Sequence, residues 1–152
     1  MTTSIKGFFN EHRFMSNFWP SEVEYAGVTY ATVEHAFQAA KFDDLDYREI
    51  IRQASTPGKS KAFGRTRDYP LRDGWSEGLA IQVMSELVAK KFTKDEDLKK
   101  RLLDTGDAVL VETNSWGDDI WGDSTTTIEP GKNQLGIILM TVRSALRAAN
   151  QE

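Results

Sequence analysis

Cysteine is absent from this chain of 152 residues, and histidine occurs only as His12 and His35. The first absence excludes disulfide scaffolds, Cys-ligated zinc, iron–sulfur clusters and thiol nucleophiles. The two histidines do not form a metal-binding set at any helical spacing, so we expect neither a metal nor another cofactor. No apolar run approaches the roughly 18–20 residues of a membrane span, and the N-terminus lacks a signal-peptide pattern. We therefore expect a soluble cytoplasmic protein that has no membrane partner.

The net charge is also small, since 19 Lys and Arg and 23 Asp and Glu give a net charge of −4. This balance argues against a protein that coats nucleic acid by neutralising phosphates, although a local basic pocket for one phosphorylated ligand fits it. With 39% hydrophobic residues, including 8 Phe, 4 Trp and 4 Tyr, the chain can bury a core. The length suits a single domain over residues 1–152.

Hydrophobic periodicity predicts a mainly α (α+β) fold, a multi-helix domain with one small β-hairpin and short strands. Val23–Tyr25 and Val28–Tyr30 predict the hairpin, because Gly27 can supply the positive φ of a tight turn. The predicted helices cover residues 33–42, 44 or 46 to 54, a short basic segment around 63–65, 76–92, 95–103, and a last helix from about 133. Residues 109–111 are a strand candidate, and residues 113–132 read as a long loop.

The helix over residues 33–42 is apolar nearly all round and carries a narrow polar stripe. At 100° per residue, Glu34, Gln38 and Lys41 project within about 60° of one another. A helix of this kind should be buried, and a buried carboxylate and ammonium must be paired or must line a pocket. The alternative, of about equal weight, is a surface Glu–Lys pair.

The long loop is the second candidate site, since Trp116, Trp121 and three aspartates lie within eight residues there. Long loops without regular structure are usually functional or disordered, and two tryptophans oppose disorder. The alternative is that one tryptophan fills the core. Gly131-Lys132-Asn133 precede the last helix, whose N-terminal N–H groups would favour an anion or ribose site.

A basic stretch is the third candidate, because arginine matches phosphate with a planar fork of donors. The alternative, of about equal weight, is that these residues form a solvent-exposed helix face. They are Lys59, Lys61, Arg65, Arg67 and Arg72.

Several motifs resemble the signature of the NADAR (YbiA-like) family, and together they span Phe9 to Leu146. Each is weak alone, but five in the same order are specific. They are residues 14–20 (FMSNFWP) with Tyr30 and residues 33–42 (VEHAFQAAKF), Gly64-Arg65 with Pro70-Leu71-Arg72 and Trp75, Trp121-Gly122-Asp123, Gly131-Lys132-Asn133, and Leu135-Gly136.

The resemblance implies a compact, mostly helical fold and an N-glycosidase, or a module associated with NAD and ADP-ribose metabolism. The implied substrates are ADP-ribosyl-guanine, free or attached to nucleic acid, and phosphorylated ribosylamino-pyrimidines of riboflavin biosynthesis. The alternative is a non-catalytic NAD or ADP-ribose binding module. A plain interaction protein is disfavoured by the polar stripe, and no obligatory protein partner is evident. Residues 124–130 lack the glycines of some relatives, which leaves the substrate open.

We expect one ligand pocket built from all these features. Its catalytic candidates are Lys41, Glu34 and Asp123, and its substrate-binding candidates are Asn17, Phe18, Gln38, Arg65, Trp121, Gly122 and Asn133. Two mechanisms fit: either a carboxylate activates water, or Lys41 attacks the anomeric carbon and forms a Schiff base. The second needs a lysine kept partly neutral by burial, which a nearby Glu34 would oppose. The resemblance also points to this lysine.

Overall fold

The computed structural model describes residues 3–126 and 131–151. The chain divides into two units, one formed by Asn17–Lys91 and the other by Met1–Ser16 together with Phe92–Glu152. Helices dominate and the strands are short, so the predicted mainly helical α+β class is confirmed. The expectation of one domain over the whole chain stays a prediction, and a single calorimetric unfolding transition would support it.

Six α-helices and six short strands occur in the part of the chain that the structure describes. The helices are α1 (Val33–Ala40), α2 (Leu45–Arg52), α3 (Pro57–Phe63), α4 (Leu79–Lys94), α5 (Glu96–Asp104) and α6 (Gln134–Asn150). The strands are β1 (Ser4–Lys6), β2 (Val23–Tyr25), β3 (Val28–Tyr30), β4 (Val109–Val111), β5 (Thr113–Asn114) and β6 (Asp123–Ser124). Short 3-10 helices cover Asn10–Met15 and Trp75–Glu77. None of these helices is long and apolar enough to cross a membrane.

The predicted hairpin is confirmed, with β2 and β3 antiparallel and Tyr25 opposite Val28. Both turn residues have positive φ, 52° at Ala26 and 82° at Gly27. A two-residue turn of this hand matches the twist of the strands. Glycine adopts positive φ readily, whereas alanine adopts it only at the energetic cost of a close contact between its Cβ and the backbone.

Helix α1 forms the centre of the Asn17–Lys91 unit, and every residue of it is buried. Thr32 caps its N-terminus as predicted, because its hydroxyl accepts a hydrogen bond from the His35 N–H. The His35 ring contacts the Thr32 hydroxyl at 2.8 Å and the Ala54 carbonyl at 3.0 Å. This histidine is therefore the packed helix residue that the sequence predicts.

Two boundaries on either side of α3 differ from the prediction. Asp44 caps α2, which ends at Arg52 rather than at residue 54. Pro57 occupies the first turn of α3, with Thr56 as its cap. Proline is suited to that position because it lacks only an N–H that would have no partner there. The basic helix therefore begins at Pro57 and ends at Phe63, before Arg65.

The unit made of the chain's two ends contains a strand that the sequence did not reveal. Strand β1 pairs in parallel with β4, with Ile5 opposite Leu110. Three residues are too few to show a period of two, and the partner lies about a hundred residues away. Beside β4, buried Arg143 donates to the Thr105 hydroxyl at 2.8 Å and to the Ala108 carbonyl at 2.9 Å. These bonds fix the turn that leads from α5 into β4.

The predicted long loop contains two short parallel strands, with β5 paired to β6. Thr113 lies opposite Asp123, and Asn114 lies opposite Ser124. Strands of two residues give no sequence signal. Glycines are scarce in residues 124–130 of this loop. Of these, residues 127–130 lie outside the described residues.

Candidate active site

Glu34 and Gln38 form a buried polar pair on α1, with exposed fractions of 7% and 4%. Gln38 Nε2 donates a hydrogen bond to Glu34 Oε1 at 2.7 Å. The burial excludes the alternative of a solvent-exposed Glu–Lys pair. At the other end of the amide, Gln38 Oε1 is buried and has no hydrogen-bond partner among the described residues.

Lys41 follows α1 directly and lies half-buried at the end of the polar stripe. Its ammonium lies 3.4 Å from the Gly64 carbonyl and 5.9 Å from the centre of the Phe37 ring. Burial lowers the pKa of Lys41 below its ordinary value; the charge of Glu34 opposes this shift, and the charges of Arg65 and Lys61 reinforce it. This is the competition that the sequence predicts, with burial as the larger effect.

The residue after α3, Gly64, contacts both parts of the stripe. Its carbonyl faces the Lys41 ammonium, and a Cβ built on it would overlap the Gln38 amide. The preceding carbonyl, of Phe63, accepts a hydrogen bond of 2.6 Å from the Tyr47 hydroxyl. Gly64 is not among the site residues that the sequence predicts, because a space requirement between two helices leaves no local pattern.

Asn17 is buried and lies beside the N-terminal end of α1. Its carbonyl accepts a 3.1 Å hydrogen bond from the Glu34 N–H, and its side-chain amide contacts the Met84 sulfur at 3.5 Å. Asn17 therefore helps to fix the backbone of Glu34. Phe18, next along the chain, is 42% exposed, a large exposed fraction for an aromatic ring.

The basic candidates divide into exposed and structural residues. Arg65 is exposed, and its charge acts on Lys41. Arg72 instead donates to the Tyr25 hydroxyl at 2.8 Å and to the Ala40 carbonyl at 3.1 Å. Arg72 therefore holds the C-terminal end of α1, a role that the charge pattern alone did not distinguish from phosphate binding.

The other unit contains the remaining candidates. Asp123 Oδ1 accepts a 3.0 Å hydrogen bond from the Gly131 N–H. The Asn133 side chain accepts from the Glu112 N–H at 3.0 Å and donates to the Leu110 carbonyl at 2.9 Å. Gly122 is buried, and a Cβ there would overlap Glu112. Gly122 and Asn133 thus have structural roles, which account for their residue types without a ligand.

The expectation of free N–H groups at the start of α6 is contradicted for residues 132–135. Their N–H groups donate to carbonyls of residues 119–122, at 2.7–3.1 Å. The loop itself therefore satisfies these donors. Trp121, whose carbonyl takes part in this pairing, is half-buried.

The family model of the NADAR domain matches residues 6–147. The chain belongs to the NADAR family.

Several relatives of this NADAR chain carry the name N-glycosidase. YbiA of Escherichia coli K12 is 44% identical over 151 residues, covering 96% of this chain and 91% of YbiA. An N-glycosidase of Nostoc punctiforme is 40% identical, with 97% and 94% covered. A riboflavin biosynthesis protein of Vibrio vulnificus is 36% identical, covering 90% of this chain but 36% of that protein.

A solved structure confirms the fold of the NADAR chain. The NMR structure of E. coli YbiA superposes with a TM-score of 0.88 at 38% identity, covering 100% of this chain and 90% of that one.

The Asn17–Lys91 unit brings together Asn17, Glu34, Gln38 and Lys41, which the sequence predicts for the site, and Gly64, which the NADAR motifs contain but the prediction does not assign to the site. An open cleft of about 610 Å³ in the other unit is lined by none of the predicted site residues. Within residues 3–126 and 131–151, no group of His, Asp and Glu side chains could hold a metal ion.

Proposed function

We propose that this NADAR protein is an N-glycosidase that hydrolyses the bond between a phosphorylated ribose and a nitrogenous base. The observation that carries the proposal is the half-buried Lys41, whose pKa burial lowers, at the end of a stripe that contains a buried carboxylate. A lysine that is partly neutral is a nucleophile. The names of the relatives support the same activity.

The alternative of a non-catalytic binding module fits this lysine less well. A module that used Lys41 to hold a phosphate would benefit from a fully charged ammonium. Burial works in the opposite direction, since it disfavours the charged form. The neighbouring charges of Arg65 and Lys61 lower the pKa of Lys41 further. This environment is the one that a reactive amine requires, and perturbed pKa values of this kind concentrate at catalytic sites.

The proposed reaction passes through a covalent intermediate on Lys41. The neutral amine attacks the anomeric carbon, and the bond from that carbon to the base nitrogen breaks as the base leaves with a proton. The ring oxygen then takes up a proton as the sugar opens, and the lysine nitrogen becomes a protonated Schiff base. Water adds to this Schiff base and releases the sugar as an aldehyde, which restores the free lysine.

Glu34 is the proposed proton carrier for these steps, and Gln38 orients it through the 2.7 Å hydrogen bond. Developing positive charge on the ribose is also stabilised by a carboxylate. We propose Asp123 as a second acidic group. In the competing mechanism, Glu34 or Asp123 activates water and Lys41 only binds. Borohydride trapping during turnover separates the two.

The proposed substrate is a small molecule or a nucleic-acid end that carries a phosphorylated ribose. Its two candidates are a ribosylamino-pyrimidine phosphate of riboflavin biosynthesis and ADP-ribosyl-guanine. The first is supported by a relative named as a riboflavin biosynthesis protein. Exposed Arg65 is the proposed phosphate ligand, while Phe18 or Trp121 stacks on the base or lines the ribose.

A release assay tests this proposal. The protein is incubated separately with ribosylamino-pyrimidine phosphate, ADP-ribosyl-guanine and NAD, and free base is measured by chromatography, with Lys41→Ala as the control. Base release from at least one of the first two supports an N-glycosidase and identifies its substrate. Binding of all three without any release supports the binding module instead.

Several site assignments stay predictions from the sequence. Asn17, Trp121, Gly122, Asp123 and Asn133 are proposed to serve the same ligand as Lys41. Changes in the backbone amide chemical shifts of these residues during an NMR titration with substrate test that assignment. Location in the cytoplasm and independence from an obligatory protein partner are also still predictions.

A further inference from the structure

The backbone conformation of Gly64 does not explain why this residue is a glycine. Its φ is −67° and its ψ is −12°, which any residue adopts. The small space beside Gly64 does explain it, because a Cβ at this position would overlap Gln38 Oε1. The Gln38 amide therefore rests directly against the Gly64 backbone, where only glycine leaves room.

The orientation of the Gln38 amide follows from its neighbour on α1. An ionised carboxylate accepts hydrogen bonds and donates none. The NH₂ group of Gln38 must therefore face Glu34, as the 2.7 Å hydrogen bond shows. Its oxygen is left to face Gly64, where the described residues offer it no N–H or O–H donor. A Cβ–carrying residue at position 64 would have to displace either this amide or the backbone of residue 64.

The same backbone also holds the lysine. The Gly64 carbonyl lies 3.4 Å from the Lys41 ammonium. A shift of residue 64 away from Gln38 would withdraw this acceptor. The Tyr47 hydroxyl fixes the preceding carbonyl at 2.6 Å, so the position of Gly64 is determined from the α2 side as well.

We propose that Gly64 is a positioning residue that sets the Glu34–Gln38 pair and the Lys41 ammonium through one close contact. Its missing side chain admits the Gln38 amide, and its carbonyl holds Lys41. The predicted effect on turnover rests on the proposed N-glycosidase function. The predicted effect on the titration of Lys41 does not.

The experiment compares Gly64→Ala with Gly58→Ala. Gly58 is a matched control within α3, the helix that Gly64 follows, because a Cβ there would meet only the Thr56 hydroxyl, at 3.8 Å. The rate at which acetic anhydride labels Lys41 is measured from pH 6 to pH 10 by peptide mass spectrometry. A carbonyl near an ammonium favours the charged form, so its withdrawal should move the labelling midpoint of Gly64→Ala to lower pH by roughly half a unit or more. Gly58→Ala should keep the midpoint of the unmodified protein.

Turnover of the substrate is the second readout. Gly64→Ala should lower kcat roughly 10- to 100-fold, since misplacement of a reacting group by about 1 Å costs rates of that order. Loss of turnover without a change in the labelling midpoint overturns the positioning role. A changed midpoint in a protein that cleaves no N-glycoside supports the positioning role and contradicts the proposed function instead.

A rescue experiment separates positioning from general damage. In a Gln38→Ala background, the atoms that a Cβ at position 64 would overlap are gone, and the remaining contact, with the Gln38 Cβ, is 3.3 Å. Adding Gly64→Ala to Gln38→Ala should then leave both folding and the labelling midpoint unchanged. This comparison also decides the case in which Gly64→Ala alone does not fold. If the double variant is unfolded, or its midpoint moves as far as in Gly64→Ala, the proposal is overturned.

Discussion

Gln38 donates a hydrogen bond of 2.7 Å to Glu34, while the oxygen of the same amide is buried without a partner among the described residues. A buried polar atom left without a partner costs about 1–3 kcal/mol. Stability therefore does not explain a glutamine at this position. The orientation that it gives to the Glu34 carboxylate does.

Gln38→Met tests this interpretation, since methionine matches the length of glutamine and has no amide. Loss of the hydrogen bond and loss of the unpartnered oxygen should nearly cancel, so the free energy of unfolding should change by less than about 1 kcal/mol. Turnover should fall roughly 10- to 100-fold, because the acid–base group loses its orientation. Denaturant unfolding and kcat are measured alongside Gln82→Met, an exposed control on α4. Full turnover in Gln38→Met would show that Glu34 needs no orientation by this amide.

Arg65→Ala should weaken the binding of a phosphorylated ligand by about 1.5–3 kcal/mol, the range for hydrogen bonds to charged groups. Isothermal titration with the phosphorylated and dephosphorylated forms of one ligand measures the effect. Exposed Arg13 provides the control, Arg13→Ala, which should leave both affinities unchanged. Arg72 is unsuitable as a control because it holds the end of α1. If the unmodified protein binds both forms equally well, the phosphate role of Arg65 is wrong.

Lys91→Met should remove a pH dependence from the stability of the protein. Lys91 is 1% exposed, and burial lowers its pKa from 10.5 to about 7. Below pH 7 the folded protein must hold a buried charge, whereas above pH 10.5 the lysine is neutral in both the folded and the unfolded states. The stability of the unmodified protein therefore rises relative to Lys91→Met as the pH increases from about 7 to 10.5.

The measurement is denaturant unfolding of the unmodified protein and Lys91→Met at pH 6 and pH 9.5. The free energy of unfolding of the unmodified protein, relative to that of Lys91→Met, should be larger at pH 9.5 than at pH 6 by roughly 1–3 kcal/mol. An equal difference between the two proteins at both pH values would contradict the lowered pKa of Lys91.

Ala26→Gly should stabilise the hairpin by roughly 0.5–1 kcal/mol, because glycine removes the strain of an alanine at φ 52°. Gly27→Ala should do the opposite, since φ at Gly27 is 82°. Thermal unfolding of the two variants measures both effects. Equal melting temperatures for them would mean that the turn does not have this conformation.

The sequence predicts the helical part of the fold well because helical periodicity and caps are local signals. Thr32 and Asp44 were expected as caps and act as caps. Thr56 and Pro57 together are a local start signal for α3, which the prediction missed. Strand β1 was missed for a different reason, since Ser4–Lys6 forms a strand only by pairing with β4.

The candidate site also combines features that local sequence patterns predict with features that depend on non-local contacts. The spacing of Glu34, Gln38 and Lys41 predicts a shared face of one helix, and the burial of the first two is confirmed. The structural role of Arg72 and the space requirement at Gly64 depend on contacts with distant segments. Residue type and spacing therefore predicted the shared polar face, whereas the contacts that position it required the tertiary structure.

The covalent role of Lys41 is the central claim, and borohydride trapping during turnover tests it most directly. Reduction of the Schiff base should attach the opened sugar to Lys41 as a stable secondary amine, detected as a mass increase on the peptide that contains this residue. Lys41→Ala should give no adduct and should lose most of the rate. The claim is contradicted if no adduct forms on Lys41 and Lys41→Ala keeps more than about a tenth of the rate, a loss far below the ~10²–10⁴-fold contribution of a typical acid–base group.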